Sequence, residues 1–158
     1  MVDLSEPFHI CEYCDSDDEH PAQPIIDISI GQQDTKRCIP ALVDTGCTSA
    51  LVIPKPFLRD YKLDLGKARK VTREPSTLRL ANGYEVNLDI YYAFCRVGDI
   101  EKKIKVFVID AKRPSRADTR KMTAFLGLSF LNDFDVVFKG KEGRILFCHP
   151  KKPLLVKM

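Results

Sequence analysis

The residues best placed to do chemistry are Asp44, Thr45 and Gly46, which interrupt an otherwise apolar stretch. An apolar strand that ends in Asp-Thr-Gly presents a carboxylate at a tight turn, where glycine lets a ligand approach the backbone and threonine can hydrogen-bond to a neighbour. A single Asp-Gly-type turn also occurs in hairpins without catalytic function, where the carboxylate binds local amides. The motif alone therefore fits both a catalytic carboxylate and a structural turn.

Short apolar runs separated by turn signals surround this motif. Alternation or continuous apolar character predicts strands at 25–30, 38–43, 50–53, 78–88 (a hairpin), 89–97, 103–109, 125–127, 135–139 and 144–148. Residues 128–134 predict one short helix near the C-terminus, and Pro54 and Pro56 mark a short helix or turn around 57–61. Many short strands with frequent turns predict an all-β, barrel-like fold and exclude helical bundles and doubly wound sheets.

Two segments carry a resemblance to a known family. Residues 40–53, Pro-Ala-Leu-Val-Asp-Thr-Gly-Cys-Thr-Ser-Ala-Leu-Val-Ile, resemble the catalytic segment of retropepsin-like aspartic proteases, the proteases of retroviruses and LTR retrotransposons. Residues 124–131, Ala-Phe-Leu-Gly-Leu-Ser-Phe-Leu, are similar to the family's second signature, which implies that Leu126 and Gly127 pack behind the active site. The order and type of these elements agree with the family over residues 24–148.

The resemblance also implies a flap over the site. A hairpin at Ala81, Asn82, Gly83 and Tyr84 stands in the flap position and would supply main-chain hydrogen bonds to an extended peptide. Its alternative interpretation is an ordinary surface hairpin.

Aspartic proteolysis needs two carboxylates on one water, and the chain of 158 residues holds a single Asp-Thr-Gly. A symmetric homodimer would supply the second Asp44 across a two-fold axis. The resemblance implies this assembly, with Asp44 catalytic and with Thr45 and Gly46 supporting the active-site turn. Cys47 follows Gly46 where serine or alanine is usual in the family, and Ser129 stands where many members have aspartate or arginine.

Cysteine spacing raises a separate hypothesis of metal binding. Cys11 and Cys14, followed by His20, begin like a zinc knuckle, but the spacing to His20 is too long and no fourth ligand follows nearby. Cys148 and His149 could complete a site only if the two ends of the domain meet. We therefore predict no metal and no cofactor, with reduced and mostly buried thiols.

Charge is distributed unevenly along the chain. Nine acidic residues and no lysine or arginine lie within residues 1–34, whereas all 25 basic residues follow. We predict a solvated acidic leader at 1–23, a domain at 24–149 and a basic tail at 150–158. A basic nucleic-acid-binding barrel is an alternative, but we expect nucleic-acid binding to be absent because the phenylalanines and tyrosines mostly fall on apolar core positions.

Together with these observations, the resemblance implies an intracellular aspartic endopeptidase, in the cytoplasm or within virus-like particles, that is active as a homodimer on extended peptides, such as a retroelement polyprotein. We expect no membrane association, because no apolar run is long enough to span a bilayer and no secretory signal begins the chain. The alternative from another class is a non-catalytic dimerisation or peptide-binding module on the same fold.

Overall fold

A computed structural model describes residues 9–14, 23–67, 77–79, 85–110 and 123–148. The strands are β1 His9–Glu12, β2 Ile25–Gly31, β3 Arg37–Val43, β4 Leu51–Pro54, β5 Thr77–Arg79, β6 Glu85–Val97, β7 Ile100–Asp110, β8 Ala124–Leu126, β9 Asp135–Lys139 and β10 Arg144–Cys148. The helices are α1 Pro56–Asp60 and α2 Leu128–Leu131, and a single 3-10 turn covers Gly140–Glu142. Neither α1 nor α2 is long and apolar enough to cross a membrane, and the described residues contain no other α-helix.

A closed barrel of six strands forms the body of the molecule. The strand order is β2-β3-β8-β4-β7-β6, and β6 closes the barrel by pairing with β2 where Ile30 lies opposite Cys95. The barrel interior follows from alternation along the strands: Ile26, Ile28 and Ile30 of β2 are fully buried, whereas Asp27 between them is exposed. This confirms the predicted all-β barrel with a short helix near the C-terminus.

The second sheet has three strands in the order β1-β10-β9. The predicted final hairpin is confirmed, since β9 and β10 pair from Asp135 opposite Cys148 to Lys139 opposite Arg144. Strand β1 adds to its free edge, with Cys11 opposite Ile145. The expectation that residues 1–23 form only a solvated tail is therefore wrong for His9–Glu12, because main-chain pairing and the burial of Cys11 hold that strand on the domain.

The region between 77 and 110 differs in detail from the predicted pair of hairpins. Strand β6 is one continuous strand of 13 residues that pairs with β5 at its first residues and with β7 from Asn87 to Val97. The turn around Gly98 joins β6 to β7 as predicted. A long two-stranded ribbon of this kind presents one face to the core and the other to solvent.

Candidate active site

Asp44 lies immediately after β3, at the point where the chain leaves the barrel wall. Its backbone amide donates to the carbonyl of Leu126 at 2.9 Å, which ties it to the end of the neighbouring strand β8. The amide of Gly46 donates to Oδ1 of Asp44 at 2.8 Å, and the amide of Cys47 donates to the Asp44 carbonyl at 3.2 Å. Both hydrogen bonds lie within the turn, and the Gly46 amide fixes the position of the Asp44 carboxylate.

The topology explains why the Asp44 turn and the second signature meet. Strand β8 lies between β3 and β4, parallel to β3 and antiparallel to β4, so that Val43 pairs with Leu126 and Leu51 also pairs with Leu126. The loop from Asp44 to Ala50 must therefore cross over the end of β8. Leu126 is fully buried beneath this crossing. The structure brings these two predicted segments together.

Gly127 packs directly against the crossing loop. Its amide donates to the Ala50 carbonyl at 3.0 Å, and the amide of Leu128 donates to the Cys47 carbonyl at 2.7 Å. A Cβ at Gly127 would lie 2.2 Å from the Ser49 carbonyl oxygen and 2.5 Å from that of Cys47. These are backbone atoms, so only glycine permits this approach of strand and loop.

The exposure of the turn determines what it can do chemically. Asp44 is half-buried, while Thr45 and Gly46 are exposed. Among the residues that the structure describes, no lysine or arginine forms an ion pair with Asp44. An accessible carboxylate, fixed by the Gly46 amide and not paired with a cation, can accept a proton from water or hydrogen-bond to a ligand.

Two other carboxylates near apolar strands form ion pairs with lysines. Asp110, at the end of β7, forms an ion pair with Lys55 at 3.6 Å, and Asp133, after α2, forms one with Lys102. Neither arrangement resembles the amide-closed turn of Asp44. Both carboxylates are therefore paired with a lysine, unlike Asp44.

The thiol of Cys47 points toward the same crossing. Its Sγ lies 4.0 Å from the Ser49 carbonyl oxygen, and a Cβ on Gly127 would be 2.9 Å from it. Burial raises the pKa of Cys47 above its usual value, with the nearby charge of Asp44 adding to the shift and the contact with Ser49 opposing it. The thiol is therefore neutral at physiological pH, which makes it a poor nucleophile.

The predicted flap residues Ala81, Asn82, Gly83 and Tyr84 lie outside the described residues. Strands β5 and β6 on either side are paired, with Arg79 opposite Glu85. The strands of the predicted hairpin are therefore present, and its role as a flap stays a prediction.

Cys11, Cys14 and Cys148, three of the residues in the hypothesis of metal binding, lie within the described residues. The pairing of β1 with β10 brings the two ends of the domain together, as a four-ligand site would require. Within the described ranges, however, no group of three or more histidine, cysteine, aspartate or glutamate side chains could hold a metal ion. Burial raises the pKa of Cys11 to about 11, so that this thiol is protonated in the metal-free protein. His20 and His149 lie outside the described residues.

Comparison with solved structures reveals the fold. The chain is similar to EIAV protease complexed with the inhibitor HBY-793, with a TM-score of 0.50 and 18% sequence identity over 76% of this chain and 93% of that one. The fold is retropepsin-like. A second similar structure is the retroviral protease-like domain of Ddi1 from Leishmania major, with a TM-score of 0.40 and 12% identity over 82% of this chain and 98% of that one. No family model and no curated protein matches the sequence.

The sequence did not predict the contacts that Lys102 makes behind the candidate site of this retropepsin-like fold. Lys102 of β7 forms an ion pair with Asp133, and its Nζ lies 5.3 Å from the ring centroid of Phe130 and 5.9 Å from that of Phe134. The cation holds α2 against the barrel wall. The alternation of β7 places Lys102 on the inner face, and a lysine at such a position is a signal that a partner lies nearby.

Proposed function

We propose that the protein is an aspartic endopeptidase that acts as a homodimer, with one Asp44 contributed by each protomer. The observation that carries this proposal is the Asp44 turn itself, with the Gly46 amide bonded to the carboxylate at 2.8 Å and the turn fastened to the end of β8. A turn with only a structural role would also let the carboxylate accept a hydrogen bond from the Gly46 amide. It would not require the exposed Thr45 and Gly46 or the glycine-only crossing at Gly127.

The mechanism follows from pairing two such turns across a two-fold axis. Two carboxylates at about 3 Å cannot both be ionised, so the pair shares one proton. The ionised Asp44 removes a proton from a bound water, whose oxygen bonds to the peptide carbonyl carbon, while the protonated Asp44 of the second protomer passes its proton to the carbonyl oxygen. The proton taken from water is then donated to the peptide nitrogen, the C–N bond breaks to release the amine, and a hydroxyl proton of the diol returns to the dyad as the carboxylic acid forms. The exposed hydroxyl of Thr45 is available to link the two turns. The reaction needs no cofactor, and no covalent acyl intermediate forms.

The substrate class follows from the same proposal. An extended peptide lying between the dyad and the predicted flap, Ala81 to Tyr84, would pair its main chain with that flap, so that recognition rests on backbone hydrogen bonds and apolar side chains. A polyprotein of a retroelement is the substrate that we propose. EIAV protease, a structure of similar fold, was captured with an inhibitor, which is the behaviour expected of a site of this kind.

The direct test replaces Asp44 with asparagine and measures cleavage of a fluorogenic library of extended apolar peptides. We expect Asp44→Asn to abolish cleavage while thermal unfolding and oligomeric state stay unchanged, because the amide keeps the shape of the side chain but cannot act as a base. Asp99→Asn is the matched control, since Asp99 is an exposed carboxylate at the turn between β6 and β7. It should retain full activity.

Two results would reject the enzyme. Peptidase activity retained in Asp44→Asn would show that another residue carries the reaction. Wild-type protein that dimerises and binds apolar peptides, but neither cleaves them nor binds a statine-type transition-state mimic tightly, would favour the non-catalytic peptide-binding module.

A further inference from the structure

Strand β9, Asp135–Lys139, is an edge strand of the three-stranded sheet. It pairs with β10 on one side, and no described strand pairs with it on the other. The amides and carbonyls that point away from β10 can therefore bond to a further strand. Many proteins block such an edge with a proline or a bulge, and β9 has neither along its five residues.

The inner face of β9 is apolar. Val136 lies opposite Phe147, which is fully buried. Phe138 lies opposite Ile145, which is also fully buried, and yet Phe138 itself is 41% exposed. The inner apolar face of the sheet thus extends to its edge, where it is only partly covered.

The outer face of β9 carries one charge at each end. Asp135, Val137 and Lys139 alternate with the inner residues and share this face. Asp135 is exposed, and no cationic side chain of the described residues forms an ion pair with it. Nζ of Lys139 lies 3.7 Å from a carboxylate oxygen of Glu142, in a pair of exposed side chains that contributes little to stability. Lys139 can therefore exchange this contact for another carboxylate.

The sequence of β9, Asp-Val-Val-Phe-Lys, is complementary to itself in the antiparallel orientation. With Val137 opposite its own copy, Asp135 lies opposite Lys139 of the second copy. Val136 then lies opposite Phe138 of the second copy, and two-fold symmetry repeats both pairs. Each charge meets its opposite and each apolar side chain meets another on the same face. A register shift of two residues in either direction would place a charged side chain opposite Val137.

Strand β1, at the other edge of the sheet, lacks this complementarity. Its end residues His9 and Glu12 are three positions apart and lie on opposite faces, so that they cannot meet in a continuous sheet. Pairing Cys11 with its own copy would place Glu12 opposite the apolar Ile10. Of the two edges, β9 is therefore the one that fits a second copy of the chain.

From these observations we propose that two protomers associate through β9, which joins their three-stranded sheets into one antiparallel sheet of six strands. Asp135 of each protomer pairs with Lys139 of the other and sets the register, and the exposed ring of Phe138 packs against Val136 of the other protomer. The inference rests on the proposed function for the role of this dimer, since a shared dyad requires a second protomer. Strand β9 follows α2, which begins directly after Gly127, so that the interface is connected to the candidate site.

The first test exchanges the charges at the two ends of β9 in the full chain. Asp135→Lys and Lys139→Asp each place like charges opposite one another, so that each variant alone should self-associate at least about tenfold more weakly than wild type in sedimentation equilibrium. An equimolar mixture of the two variants restores both opposite-charge pairs and should dimerise within about threefold of wild type. The controls Asp99→Lys and Lys141→Asp make the same changes at exposed residues outside β9 and should dimerise as wild type does.

The second test shows whether the contact is edge to edge. Alternate residues of an antiparallel strand direct their amides to opposite sides, so that only every second amide of β9 bonds to β10. The other amides should exchange with solvent rapidly in dilute protein and slowly at concentrations where the dimer is populated. Unchanged exchange of these amides in a dimer would show that the protomers meet through another surface.

The interface and the enzyme can fail separately, because self-association is measured without substrate. Asp44→Asn protein should dimerise as tightly as wild type. A dimer that depends on β9 but cleaves nothing would support this inference and reject the peptidase. A wild-type chain that stays monomeric, charge variants that dimerise as tightly as wild type, or a mixture that associates no better than either variant alone would overturn the pairing through β9.

Discussion

At the scale of single residues, Gly127 determines whether the Asp44 turn can form. The crossing loop leaves no room for a side chain at this position, because the carbonyl oxygens of Ser49 and Cys47 occupy it. The backbone of Gly127 has φ −113° and ψ −173°, which any residue can adopt. The requirement for glycine here is one of space and not of backbone conformation.

Gly127→Ala should therefore lower the free energy of unfolding by about 2 kcal/mol and reduce peptidase activity, because the loop that carries Asp44 must move outward. Thermal denaturation and peptide cleavage check this. Gly140→Ala is the control, since nothing lies within 4 Å of a Cβ at that position. A Gly127→Ala protein with unchanged activity and stability would show that the crossing adapts without cost.

Cys47 is next to the candidate dyad, but its raised pKa gives it no role as a nucleophile. We expect Cys47→Ser to retain kcat/KM within about threefold, because serine fills a similar volume and hydrogen-bonds to the same Ser49 carbonyl. Alkylation of this thiol by iodoacetamide should be slow at pH 7, because the thiolate is the reacting form. The alkylation rate should rise only at a pH above the ordinary pKa of a cysteine thiol. Rapid alkylation at neutral pH, or a large loss of activity in Cys47→Ser, would contradict this.

At the scale of elements, helix α2 depends on Lys102 for its position. The lysine contacts Asp133 and the rings of Phe130 and Phe134, so one side chain joins the helix region to β7. Because α2 begins directly after Gly127, its position also sets that of the glycine crossing.

Lys102→Met keeps the apolar stem and removes the charge. It should lower the free energy of unfolding by about 1 kcal/mol through the lost ion pair and cation-π contacts. A chain of this size should then melt about 2–4 °C lower. Lys141→Met, at an exposed lysine of the 3-10 turn, is the control and should melt close to wild type. Equal melting temperatures for the two variants would refute the role of Lys102.

Much of the strand content follows from sequence because alternation and turn residues are local signals. Strand β2 shows this, since Ile26, Ile28 and Ile30 are buried at alternate positions. Strand β10 shows it as well, since Ile145 and Phe147 are buried and Gly143 stands in the turn before them. Strand β1 could not be predicted in this way. Its pairing with β10 depends on a partner far along the chain, and a four-residue strand in an acidic segment carries little apolar signal of its own.

The candidate site likewise combines features that a local sequence pattern reveals with others that depend on long-range pairing. Asp44, Thr45 and Gly46 stand out by motif, and Leu126 and Gly127 by resemblance to a family signature. The insertion of β8 between β3 and β4, which brings these segments together, is a long-range pairing that no local pattern records.

At the scale of the whole molecule, the proposed function depends on assembly. One protomer supplies a single amide-closed Asp44 turn, which is half of the proposed dyad. Apolar side chains of the three-stranded sheet are available for association, since Ile10 is 49% exposed and Phe138 is 41% exposed. Specific activity should therefore rise with protein concentration and level off as the dimer forms.

The most direct measurement mixes wild-type and Asp44→Asn protomers in known ratios, refolds them together and records peptidase activity. If each site needs both copies of Asp44, mixed dimers are inactive, and a mixture with half of its protomers replaced retains about one quarter of the wild-type activity. If each protomer carries a complete site, the same mixture retains about one half. A quadratic fall with the wild-type fraction is the result that we predict, and a linear fall would contradict the shared dyad.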